Sequence, residues 1–309
     1  MKVEMFNLLS IIGPTASGKT SLAVRLAAEL GGEIISADSR QVYKDMDVGT
    51  GKDLEEYVYC GQKIPYHLID IVEAGTKYNV FEYQKDFVRV WQDCRRRGVF
   101  PVLCGGSGLY VESVIKAYKL LAVPVNEGLR ASLAGKSLAE LTAILSGYRR
   151  LHNTTDTDTV KRAIRAIEIE EYYQHHAAEE KDFPQIRALV VGVDVSREIR
   201  RERITRRLHE RLKNGMIEEV EKLLWKEGVT PEDLIYYGLE YKYITLYLTG
   251  ELGYEEMVEK LNVAIHQFAK RQMTWFRKME REGVEILWID GLLPMEAKVE
   301  RILKRLSGD

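Results

Sequence analysis

The chain is poor in cysteine: Cys60, Cys94 and Cys104 are all it has, and they lack the close spacing of a metal knuckle. Such a set excludes a disulfide framework and a zinc module, and it fits a reducing compartment with mostly buried thiols. A large charge of either sign is missing too. Lys and Arg total 45 against 47 Asp and Glu, a formal net charge of −2. That balance argues against indiscriminate nucleic-acid binding and leaves room for a local basic face. No apolar run reaches the length of a membrane span, and the opening residues, with Lys2, Glu4 and Asn7 interleaved, lack a signal-peptide core. The expectation is a soluble, cytoplasmic protein with no membrane contact. Neither a fixed-period repeat nor a low-complexity stretch is present.

What is there begins with Gly13-Pro14-Thr15-Ala16-Ser17-Gly18-Lys19-Thr20, a complete Walker A phosphate loop. It follows an apolar run (Leu8, Leu9, Ile11, Ile12) and opens a helical pattern (Leu22, Ala23, Leu26, Ala27, Leu30). In that context the glycines let backbone amides close around phosphate oxygens, and the helix start adds partial positive charge. Lys19 supplies a cation for the terminal phosphates, and Thr20 offers a hydroxyl to Mg2+. Kinases, GTPases and ATPases share this loop but add a Walker B strand ending in Asp. Here the candidate runs fail: Val99 to Cys104 ends in Gly105-Gly106, and in Ala188 to Val195 the Asp194 is followed by a basic helix. The phosphate site is therefore devoted to something other than ordinary nucleotide hydrolysis.

At 309 residues the chain can form a large core and one smaller lobe. Strand-like runs at Leu8 to Ile12, Glu33 to Ser36, Val99 to Cys104, Leu189 to Asp194 and Glu285 to Ile289 alternate with helical patterns. That alternation predicts an α/β fold of the P-loop NTPase type, a doubly wound parallel sheet covered on both faces. About eighty-five residues separate the third and fourth runs, far more than a crossover needs. Residues 122–184, with helical periodicity at Leu138 to Leu151 and Thr159 to Tyr173, read as an inserted helical lobe, leaving 1–121 and 185–309 as the catalytic core. Further helical patterns span Ile199 to Lys226 and Glu255 to Lys278.

The second strand leads into Asp38, which places a carboxylate at the strand edge where open α/β sheets bind ligands. Position alone allows a base, a helix cap or a ligand of metal-bound water. A glycine-dense turn, Gly105-Gly106-Ser107-Gly108-Leu109-Tyr110, ends the third strand on the same edge. Three such turns describe a pocket.

These loops, with Ile35-Ser36-Ala37-Asp38-Ser39, Gln41 and Tyr43, Met46-Asp47-Val48-Gly49-Thr50-Gly51-Lys52, His67-Leu68-Ile69-Asp70 and Ala269-Lys270-Arg271-Gln272-Met273-Thr274-Trp275-Phe276-Arg277, occur in one order along nearly the whole chain. Together they resemble the tRNA dimethylallyltransferase family. The resemblance implies transfer of a dimethylallyl group from dimethylallyl diphosphate to N6 of the adenosine 3′-adjacent to the anticodon. It implies that residues Gly13 to Thr20 hold the diphosphate, with Arg203 or Arg207 adding a guanidinium from one helix face. Asp38 becomes the general base, and Ser107, at the family's usual threonine position, lies near both substrates. Asp38, Ser39, Arg40, Gln41 and Ser107 would receive the flipped base, and Lys161, Arg162, Arg165, Lys270 and Arg271 would meet the tRNA anticodon stem-loop. Trp275 and Phe276 read as core. Departures from the family pattern include Tyr172 to His176 in place of a Thr-Gly turn, Ile265-His266 for Thr-Arg, and Leu239 for tyrosine. Adjacent His175 and His176 cannot share a helix face and make a poor metal site. A monomer is expected. The competing readings are prenylation of free adenine nucleotides, a small-molecule kinase, and an RNA-binding protein without catalysis.

Overall fold

The computed structural model describes residues 5–151, 155–176, 183–226 and 228–308. They divide into two compact units, Met1–Ala117 with Pro184–Asp309, and Tyr118–Phe183.

The larger unit is built on a six-stranded sheet: β1 (Leu8–Ile12), β2 (Gly32–Ser36), β5 (Tyr66–His67), β6 (Phe100–Gly105), β7 (Ala188–Asp194) and β8 (Ile286–Asp290). A separate small hairpin pairs β3 (Val58–Tyr59) with β4 (Gln62–Lys63). In the main sheet the order is β5-β2-β6-β1-β7-β8 and every pairing is parallel. β1 is buried along its whole length, as a central strand covered on both faces must be. Its side chains alternate between two cores: Leu8 and Ile12 pack on one face, Leu9 and Ile11 on the other.

The helices follow from amphipathic stripes with local stop and start signals. α1 (Lys19–Leu30) and α12 (Met295–Ser307) cover one face through Leu22, Leu26, Val299 and Ile302. The other face meets α2 (Val80–Arg96), started by an Asn79–Glu82 capping box, and α3 (Gly108–Ile115). The smaller unit contains α4 (Glu127–Leu133), α5 (Leu138–Tyr148) and α6 (Val160–His175) around Leu133, Leu141, Leu145, Ala163 and Ile167. Back in the larger unit come α7 (Arg197–Lys213), α8 (Met216–Leu224), α9 (Pro231–Tyr237), α10 (Leu239–Leu248) and the 28-residue α11 (Tyr254–Arg281). The helical run expected over Ile199 to Lys226 breaks at Gly215, whose φ of 92° ends α7 and starts α8.

Cys94 and Cys104 are buried and Cys60 is exposed at the hairpin turn, in line with the expectation of mostly buried thiols. All of them are free. Among the described residues no helix is long and apolar enough to cross a membrane.

Candidate active site

β1, β2, β6 and β7 run parallel, so the loops that follow them share one edge of the sheet. The phosphate loop leaves β1 between strands wound to either side, the switch point where such sheets open a crevice. Ala16 (φ 62°) and Gly18 (φ 85°) are left-handed, which turns successive amides inward as an anion nest. Gly18 caps α1 without a side-chain bond, so the first amides of that helix remain available to a ligand. A Cβ on Gly13 would stand 2.5 Å from the Val193 carbonyl oxygen, which fixes glycine there.

Lys19 folds back to donate to the Pro14 carbonyl at 3.4 Å. Burial lowers its pKa from the ordinary lysine value, with Cys104 and Asp38 opposing that shift. An anion in the loop would relieve the cost of that half-buried charge. Beside it the buried Cys104 thiol is pushed up to about 11 and is inert as a nucleophile.

Asp38 lies where β2 ends. Its Oδ1 accepts from the Arg40 amide at 2.9 Å, a local turn that holds the carboxylate in place. The Ser107 hydroxyl accepts from the Ser39 amide at 2.9 Å, and the Ser107 amide donates to the Ala37 carbonyl at 3.1 Å. Gly105 has no room for a Cβ because the Ala37 carbonyl occupies that space. The β2 and β6 loops are thereby bolted together, and Asp38, Ser39 and Ser107 become one surface. Gln41 is already engaged, donating to the Gly51 carbonyl at 3.0 Å and accepting from Ser36 Oγ at 3.2 Å. Arg40 lies 5.9 Å from the centre of the half-exposed Tyr236 ring.

Several residues outside the sequence-derived set hold this arrangement. Gln272 on α11 accepts from the Thr15 amide at 2.9 Å and donates to the Gly106 carbonyl at 2.9 Å. It staples the phosphate loop to the glycine turn. A glutamine on the buried stripe of α11, beside Ala269, Met273 and Phe276, was the available signal. Glu219 on α8 accepts from the Asp47, Val48 and Gly49 amides at 2.9, 2.6 and 3.0 Å. Lys52 is 1% exposed and donates to the Tyr43 carbonyl at 2.6 Å, to Asp47 at 2.8 Å and to Asp70. The motifs at 46–52 and 67–70 thus meet around the buried Lys52 ammonium, with the more exposed Asp47 and Asp70 as its counterions.

Of the two arginines expected near diphosphate, Arg207 lines a small cavity with Thr15 and Ala16, together with Arg211 and Glu240; Arg203 does not line it. Burial, then the like charge of Arg211, lowers Arg207 from the ordinary arginine value.

The basic residues assigned to RNA fall into two groups. Lys161, Arg162, Lys270 and Arg271 are exposed, with Arg162 paired to Asp158 at 2.5 Å and Arg271 lying 5.9 Å from the Phe268 ring centre. Arg165 is committed inside its own unit, bound to the buried Glu168 and to the Val123 carbonyl at 2.8 Å. Phe276 is fully buried, and Trp275 donates to Glu112 at 2.8 Å, so both belong to the core. His266 lies in a separate groove of about 440 Å³ between α7 and α11, with Nε2 3.2 Å from Thr205 Oγ1.

His176 stacks on Tyr172 with ring centres 3.8 Å apart, a packing role. Among the described residues the ligand-type trio is Glu33, His67 and Cys94. There Arg97 grips both Glu33 oxygens at 2.7 and 2.6 Å, which holds that carboxyl down to about 2 and occupies the position a cation would take.

The fold and the glycine-lined edge define a phosphate-loop α/β protein whose crevice is equipped with a carboxylate. The family model described as IPP transferase matches residues 41–279, and that described as isopentenyl transferase matches residues 6–72. The chain belongs to the tRNA dimethylallyltransferase family. It is 63% identical over 304 residues to tRNA dimethylallyltransferase 2 of Phocaeicola vulgatus, covering 98% of this chain and 99% of that protein. It is 62% identical over 307 residues to a protein of the same name from Bacteroides fragilis, covering 99% of each. The crystal structure of full-length tRNA isopentenylpyrophosphate transferase from Bacillus halodurans superposes with a TM-score of 0.70 at 30% identity, covering 98% of this chain and 96% of that one. A eukaryotic dimethylallyltransferase acting on tRNA shares the fold, with a TM-score of 0.77 at 20% identity over 98% of this chain and 80% of that one.

Proposed function

We propose that the chain transfers the dimethylallyl group of dimethylallyl diphosphate to N6 of the adenosine 3′-adjacent to the anticodon in tRNA, releasing diphosphate. The observation that carries this reading is Asp38, held by the Arg40 amide beside Ser107 and electrostatically coupled to Lys19 of the phosphate loop.

An exocyclic adenine amine is a weak nucleophile, so the allylic carbon must gain cation character while its bond to the diphosphate oxygen breaks. The electron pair leaves with diphosphate, the bond from N6 to carbon forms, and the N6 proton passes to the Asp38 carboxylate. Stabilising the leaving charge is the strongest lever, and Lys19, the loop amides and Arg207, which lines the cavity beside Thr15 and Ala16, would supply it. General-base action at Asp38 contributes about 10²–10⁴-fold. Ser107 orients the Ser39 amide and with it the floor beneath the base. The Thr20 hydroxyl, with Glu56 among the carboxylates acting on Lys19, offers hard oxygen donors that would suit Mg2+, which when bound would neutralise diphosphate charge, while Asp38 stays free to take the proton. The exposed Lys270, Arg271, Lys161 and Arg162 supply phosphate contacts for the stem.

The test is incubation with dimethylallyl diphosphate, Mg2+ and an anticodon stem-loop carrying consecutive adenosines, followed by nucleoside mass analysis. The expected product is a prenylated adenosine in the RNA. Asp38→Ala is expected to lose most turnover with RNA affinity nearly intact, and wild-type turnover in that variant would remove Asp38 from the mechanism. Prenylation of free adenosine monophosphate with none in the RNA would overturn the acceptor.

A further inference from the structure

Arg211 is one turn beyond Arg207 on α7, and it is 8% exposed. Its guanidinium rests on Gly51, which is left-handed at φ 70° and where any Cβ would overlap the guanidinium nitrogens. Asp53 pairs with it at 2.9 Å from a partly exposed position. The same side chain lines the small cavity with Thr15 and Ala16 of the phosphate loop, alongside Arg207 and Glu240.

The half-buried Arg207 and the buried Arg211 repel each other, Glu240 in the same cavity offsets only part of that repulsion, and Asp53, the carboxylate paired with Arg211, is 40% exposed. Such an arrangement is costly unless an anion with several charges completes it. The phosphate-loop amides and Lys19 can hold one phosphate of a diphosphate, which leaves the other to the two guanidinium forks.

We infer that Arg211 is a donor-binding residue that grips the leaving diphosphate together with Arg207, and that Asp53 is the counterion which holds Arg211 when no donor is bound. The inference rests on the donor reading above. It differs from a purely structural role, in which the Arg211–Asp53 pair only clamps residues 51–57 to α7.

The two roles separate by titrating wild type, Lys19→Ala, Arg211→Met, Arg211→Lys and Asp53→Asn with inorganic pyrophosphate and Mg2+ in a calorimeter, with Tm measured for each. Donor binding predicts that Arg211→Met weakens pyrophosphate affinity about ten- to a hundredfold. It also predicts a matching rise in KM for dimethylallyl diphosphate and an unchanged KM for RNA. Arg211→Lys should recover part of the affinity, because one charge remains without the fork. Asp53→Asn frees the guanidinium and should tighten pyrophosphate binding a few-fold while lowering Tm. A clamp predicts instead that Arg211→Met and Asp53→Asn lower Tm alike and keep wild-type pyrophosphate affinity. That result overturns the inference. Should Arg211→Met not fold, Arg211→Lys and Asp53→Asn moving affinity in opposite directions still supports it, and both matching wild type overturns it. Wild type failing to bind pyrophosphate would sink the donor reading itself, whereas loss only in Lys19→Ala would sink the role of Arg211 alone.

Discussion

Along α11, Gln272 and the pair Lys270 and Arg271 are immediate neighbours with opposite surroundings. Gln272 is buried and spends both ends of its amide on the Thr15 amide and the Gly106 carbonyl. Lys270 and Arg271 stand in solvent. The same contrast separates Ser107, Gln41 and Glu219, all tied to backbone groups, from exposed Lys161 and Arg162. Bond-making chemistry needs donors fixed before substrate arrives, whereas contacts to a phosphate backbone tolerate movement because their work is long-range and shared among many charges.

Breaking the staple is the harshest test of that contrast. Gln272→Leu leaves the Thr15 amide and Gly106 carbonyl without their partner, and kcat should fall about 10²-fold because misplacing a reacting group by an ångström has that effect. Affinity for the stem-loop should hold, as read by filter binding; a variant that lost RNA affinity and kept kcat would reverse the assignment. A smaller effect is expected from the double change Lys270→Ala with Arg271→Ala. Stem-loop binding should weaken about tenfold at moderate salt and the slope of log affinity against log salt should flatten by roughly two, with kcat at saturating RNA preserved. An unchanged salt slope would remove this pair from the RNA surface. Smallest is the difference between Arg165→Ala and Arg162→Ala. The first strips one partner from buried Glu168, which keeps Arg130 at 3.1 Å and the Asn126 amide at 2.6 Å, and should cost about 1–3 kcal/mol, visible in thermal melts. The second removes an exposed pair and should leave Tm within error. Equal melting shifts would show that Arg165 is as dispensable to its unit as Arg162.

The sheet and its ligand edge were legible because their signals are local. Near-continuous apolar runs marked β1, β6 and β7, and glycine-dense turns followed two of them. β5 was not legible: Tyr66–His67 is too short to show a period of two, and it exists only because β2 offers an edge. Gln272 was hidden by distance, since its bond to Thr15 spans 257 positions. Arg211 was hidden by company. It sits among the charges of α7, where Arg206 and Glu210 are exposed, and nothing in the spacing distinguishes the inward face. The 46–52 motif was recognisable as a pattern, but its meaning needed Glu219 from α8 and Asp70 from the β5 loop to be seen around it.

The placement of β1 between β6 and β7 has a bearing on synthesis. The strand that carries the phosphate loop is made before both of its flanking strands, and one of them comes only with residues 188–194, after the whole helical unit has been made. Its staple arrives later still, with α11. A nascent or truncated chain ending before that helix carries the complete glycine loop but lacks the glutamine that positions it, so partial translation products are expected to be catalytically silent.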